Sequence, residues 1–115
     1  MSRLDIDRLD DIAAAITAIR AHVDRGPLSD DLVGDAVRIR LLEIGEAVKS
    51  LDADLTSTEP EIPWRQIARM RDHLAHRYFM TEVQVIQDTV DHDLGPLQEA
   101  VDRMRILLTL DDPAD

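Results

Sequence analysis

The sequence predicts an all-α protein, an antiparallel bundle of four to five helices forming a single domain over residues 1–115. Three observations carry that prediction. Apolar residues recur every three or four positions through the long stretches of the chain, the spacing of one helix face. Glycine and proline fall between those stretches, where helices stop. The clearest stripe also approaches heptad spacing, which suits helices crossing at a shallow angle.

In the first element Leu9, Ile12, Ile16, Ile19 and Val23 are spaced 3, 4, 3, 4, and Gly26-Pro27 ends it. Ser29 reads as the N-cap of the second element, with Asp30 and Asp31 at its positive end. The seam there is Val33, Val37, Leu41, Ile44, Val48 and Leu51. Gly45 lies inside this helix at a cost of about 1 kcal/mol relative to alanine, which reads as close approach of a neighbour or, alternatively, as tolerated drift, the first being slightly preferred. Residues 52–63 (DADLTSTEPEIP) are polar, contain two prolines and read as a loop. Pro63 suits the first turn of a third helix, which ends near His76 to Met80. The last stripe is Val83, Ile86, Val90, Leu94, Leu97, Val101, Met104 and Leu108. Gly95-Pro96 interrupts it, so a kink or restart is expected there, with Asp93 as a cap. The tail DDPAD reads as frayed.

Composition narrows the function. The 115 residues contain no cysteine, which removes disulfides and thiolate zinc sites. The start, MSRLDIDRLDD, is charged and unlike a signal peptide. No apolar run approaches the roughly 20 residues of a membrane helix. A cytoplasmic protein with no membrane partner is expected. The net charge of −11 argues against general coating of nucleic acid. Yet twelve of the thirteen cations are arginine, and Arg65, Arg69, Arg71 and Arg77 fall within thirteen consecutive residues. That suggests a local phosphate site, and the alternative is pairing of these arginines with acids on neighbouring helices. The chain's one Trp, one Tyr and one Phe all lie from Trp64 to Phe79, beside this cluster.

Within the cluster, Arg71-Asp72-His73-Leu74-Ala75-His76-Arg77-Tyr78 offers chemistry. Arginine forks hydrogen bonds onto phosphate, and histidine moves protons near neutral pH. Asp72 and His76 are four apart, so the carboxylate can fix the imidazole's tautomer. Arg69, His73, His76 and Arg77 share a face. Arg71 and His76, by contrast, stand roughly 140° apart on an ideal helix of 3.6 residues per turn. Either the helix changes course near His76 or a second subunit supplies the missing group. Metal-free cleavage of RNA needs a base for the 2′-hydroxyl, an acid for the leaving 5′-oxygen and cations for the phosphorane. A two-fold dimer would offer two copies of His76 with Arg71 around them. A metal site from Asp72, His73 and His76, with Asp91, His92 and Asp93, is disfavoured because Glu-x-x-His repeats on facing helices are absent. No cofactor is expected.

The pattern R-x4-H-x-Y, here Arg71, His76 and Tyr78, resembles the signature of HEPN-domain proteins, specifically the HepT-like ribonuclease toxins. Asp72 matches the acidic residue after the arginine. Ile62-Pro63-Trp64-Arg65-Gln66-Ile67 and Ile44-Gly45-Glu46-Ala47 also look like family features, and the helix order matches over nearly the whole chain. The resemblance implies a HEPN-like homodimer that cleaves RNA without metal at a cleft between the two motifs. It makes Arg71 and His76 catalytic, Asp72 supporting and Tyr78 a modification site. It also implies a small nucleotidyltransferase antitoxin that adenylylates Tyr78. The added phosphate would repel RNA beside His76. Arg69 and Arg77 are weaker candidates for steering RNA, while Trp64, Phe79 and Met80 read as core or dimer contacts. The alternative is a non-catalytic nucleotide-binding or docking subunit of a nucleotidyltransferase complex.

Overall fold

A computed structural model describes residues 3–75 and 82–110. All its regular structure is helical: α1 (Arg3–Val23), α2 (Asp31–Lys49), α3 (Ala53–Thr56), α4 (Trp64–Ala75), α5 (Glu82–Asp88) and α6 (Leu94–Leu110). A π-helical segment, Thr89–Asp93, joins α5 to α6.

The core follows the stripes. Leu9, Ile12, Ile16 and Ile19 of α1 are fully buried, as are Val37 and Leu41 of α2. Ile44, Leu97, Val101 and Met104 complete the same cluster. Helix α1 packs between α2 and α6, and α2 also carries α4. Polar ties fix directions. Arg20 Nη2 donates to Gln98 Oε1 at 3.0 Å, and Arg105 Nη2 lies 3.0 Å from Asp10 Oδ1, so α1 and α6 run antiparallel. The buried Asp5 accepts from the Asp52 N–H at 3.2 Å, which brings the start of α1 to the end of α2.

Three local expectations are corrected. The N-cap of α2 is Asp30, whose Oδ1 accepts from the N–H groups of Leu32 and Val33, and Ser29 stands outside the helix. A carboxylate at that position also meets the positive helix end, an advantage a serine lacks. The stretch 52–63 is not all loop: Asp52 caps the single turn α3, and Leu55 inside it is fully buried. Finally, α6 restarts at Leu94, next to Gly95-Pro96, but Asp93 does not cap it and lies in the π-helical segment before it. The chain passes through π-helical geometry just upstream, where the Leu94 N–H donates to the Thr89 carbonyl five residues back. That wide turn makes room for a proline ring and its missing N–H. Leu94 and Leu97, buried on either side of Pro96, anchor both flanks in the core.

The start of α4 is pinned from two sides. The Trp64 indole donates to the Glu59 carbonyl at 3.0 Å, and the Ile67 N–H to the Pro63 carbonyl at 3.0 Å. The Glu59 carboxylate receives Nε and Nη2 of Arg103 from α6, the shortest contact being 2.7 Å. That hydrogen bond is the main cause holding the Arg103 guanidinium above its ordinary pKa. The α2 cap gives a direct test. Asp30→Ala should lower stability by about 1 kcal/mol in urea unfolding, because two N–H groups lose their acceptor.

Candidate functional site

Helix α4 carries Arg65, Arg69 and Arg71 of the arginine cluster, and its two faces differ. Leu74 is buried and Ile67 half-buried against the core. Arg65 and Arg69, one turn apart, are exposed and make no ion pair or hydrogen bond among the described residues. Arg71 lies off that exposed face, turned toward α2.

The Arg71 Nε lies 2.6 Å from Glu46 Oε2, and Nη1 lies 3.3 Å from Asp72 Oδ1. The geometry depends on Gly45. A Cβ added there would lie 2.9 Å from the Arg71 Cβ and 3.2 Å from the Ile67 carbonyl oxygen. Bare backbone at Gly45 therefore lets α4 sit close on α2 at the level of Arg71. This is the close approach that the interior glycine predicts. Its neighbour Glu46 is thereby carried to the arginine.

Arg71 opens onto a groove of about 660 Å³. Arg8 and Asp11 of α1 line one part of it, and Leu42, Glu43, Glu46 and Ser50 line another. The acids there are paired: Asp11 with Arg8 at 3.5 Å, Glu43 with Arg40 at 2.7 Å, and Glu46 with Arg71. The Arg71 side chain keeps 42% exposure, and its Nη2 carries no hydrogen bond among the described residues. A phosphate oxygen could be received there. Among the described residues no group of three histidines or acids is disposed to hold a metal, and no helix is long and apolar enough to cross a membrane.

The structure thus joins two of the sequence's candidates, Arg71 and Asp72, and places Arg69 on another face. The Asp72 contact in view is to Arg71. His76, Arg77 and Tyr78 lie outside the described residues, as do Phe79 and Met80. Glu46 carries no role in the sequence reading. The signal for it was the glycine beside it, which marks where another helix comes close, but not which residue of that helix arrives.

An all-helical fold with an arginine-bearing helix docked on a glycine-containing neighbour defines a small helical protein that presents an arginine at a groove. Residues 8–104 match the Ribonuclease HepT-like family, and the chain belongs to that family. It is similar to "Probable ribonuclease HepT" of Thermococcus cleftensis, 40% identical over 91% of this chain and 99% of that protein. It also resembles "Putative RNase MJ0127" of Methanocaldococcus jannaschii, 41% identical over 55% of this chain and 56% of that protein. A third relative, "Putative RNase TTE0752" of Caldanaerobacter subterraneus subsp. tengcongensis, is 37% identical over 67% of this chain and 73% of its own length. No solved structure matches the chain.

Proposed function

We propose that this chain is the toxin component of a type II toxin–antitoxin pair, a metal-independent endoribonuclease acting as a cytoplasmic homodimer. Family membership and relatives named as ribonucleases support RNA as the substrate. The observation that carries the reading is Arg71, held beside Glu46 at an open groove with its Nη2 making no hydrogen bond among the described residues.

His76 serves as the proton-transfer group. One copy removes the 2′-hydroxyl proton, the 2′-oxygen attacks phosphorus, and the copy from the second protomer protonates the departing 5′-oxygen. The products are a 2′,3′-cyclic phosphate and a 5′-hydroxyl. Arg71 offsets charge on the phosphorane. Asp72 supports Arg71 and His76, and Arg69 and Arg77 steer the RNA. A small nucleotidyltransferase antitoxin adenylylates Tyr78, placing phosphate and bulk beside His76 and blocking substrate.

A second reading has its own support. Two carboxylates already face Arg71 in a chain of net charge −11, which suits a nucleotide-binding or docking subunit that cuts nothing. Incubation of the partner-free protein with total RNA in EDTA tests between the two. Cleavage, with growth arrest when the chain is expressed alone, is the expected result. Intact RNA from protein whose Tyr78 is unmodified by mass would favour the docking subunit.

A further inference from the structure

We propose that Glu46 is a positioning residue for Arg71, setting the direction in which its guanidinium is offered to an RNA phosphate. The inference rests on the ribonuclease reading above and extends it to a residue on a different helix. The Glu46 Oε2 lies 2.6 Å from Arg71 Nε, a close ion pair between two helices. With Nε against Glu46 and Nη1 against Asp72, Nη2 makes no hydrogen bond among the described residues and is the nitrogen left for a ligand. A long flexible side chain otherwise samples many rotamers, and a phosphate would have to order it on arrival. Holding it beforehand makes the cation part of a preorganised site.

The anchor is built into the backbone packing. Gly45 lets α2 approach α4 at the Arg71 Cβ, and the next residue along α2 supplies the carboxylate. Both partners are substantially exposed, Arg71 at 42% and Glu46 at 58%. An ion pair so placed contributes little to folding. The contact fits a role in orientation better than one in stability. The competing view is that Glu46 masks Arg71 and repels phosphate, and the two make opposite predictions.

The test compares Glu46→Ala and Glu46→Gln with the parent on a short RNA in EDTA, measuring kcat, KM and Tm, together with the Arg71 Nε–H signal by NMR. Arg71→Lys assigns that signal. Glu46→Ala should lower kcat roughly tenfold, less than the ~10²–10³-fold loss on deleting such a donor outright, with KM and Tm nearly unchanged. Glu46→Gln keeps an oxygen of the same reach beside Nε and should restore most of kcat. The Arg71 Nε–H signals of the parent and of Glu46→Gln should lie close together, and that of Glu46→Ala should move to the free-arginine position. Equal or higher activity in Glu46→Ala would overturn the proposal, as would equal losses in both variants. A parent that cuts no RNA would overturn the ribonuclease reading instead, and the Nε–H signal would then decide Glu46 alone. A shift to the free-arginine position in Glu46→Ala upholds the anchor, whereas an unchanged signal in that variant, or a free-arginine signal in the parent, removes it.

Discussion

Replacing His76 with alanine is expected to abolish RNA cleavage while leaving the protein folded. A side chain that moves a proton in the transition state typically contributes ~10²–10⁴-fold to the rate. In a homodimeric site that uses one copy as base and the other as acid, the substitution removes both at once. The loss should therefore lie at or beyond the upper end of that range, in kcat rather than in KM. The folded state should survive, because the core is built from other side chains: Leu9, Ile12, Ile16 and Ile19 of α1, Val37 and Leu41 of α2, and Leu97, Val101 and Met104 of α6. Far-UV circular dichroism and Tm close to the parent would establish this. A folded His76→Ala protein that cuts RNA as fast as the parent would remove His76 from the mechanism. Arg71→Lys is the informative companion. It keeps the charge but loses Nε and the fork, so its activity should fall well below the parent's although the net charge is the same.

Which parts of this were legible beforehand follows from the range over which each signal acts. Helix faces were legible because burial is periodic, and the stripe residues of α1, α2 and α6 are found buried, with Val23 at the end of α1 only half-buried. The end of α1 was legible because glycine and proline act locally. The path through Pro96 was not, because a proline's effect depends on whether flanking side chains hold both halves down. Here Leu94 and Leu97 do, and a π-helical turn absorbs the proline. The choice between Ser29 and Asp30 as cap turned on a single residue of register, finer than side-chain preference resolves. At the site, local spacing named Arg71 and Asp72 but said nothing of Glu46. Arg71 follows Glu46 by 25 positions in the chain, and only the packing of α2 on α4 joins them.

That packing makes Gly45→Val the substitution with the largest expected structural effect near the site. Removing glycine from a helix interior ordinarily gains helix stability, by about 1 kcal/mol for alanine and less for the stiff β-branched valine. Here the new Cβ would meet the Arg71 Cβ at 2.9 Å and the Ile67 carbonyl at 3.2 Å. Neither is the far end of a flexible chain, so relief requires α4 to move away from α2. Overpacking of this kind costs about 1–3 kcal/mol, and the extra methyls of valine place it toward the upper end. A domain of this size should then lose roughly 10 °C in Tm. Gly45→Ala should fall between parent and valine, since its lone methyl meets the same atoms but brings the full gain in helix preference. Activity should fall further than stability accounts for, measured well below each variant's Tm where all are folded. As α4 moves outward, the Arg71 guanidinium leaves the Glu46 carboxylate, and the preorganised cation is lost before the fold is. If Gly45→Val proved as stable and as active as the parent, the close contact between α2 and α4 would not be what sets the direction of Arg71.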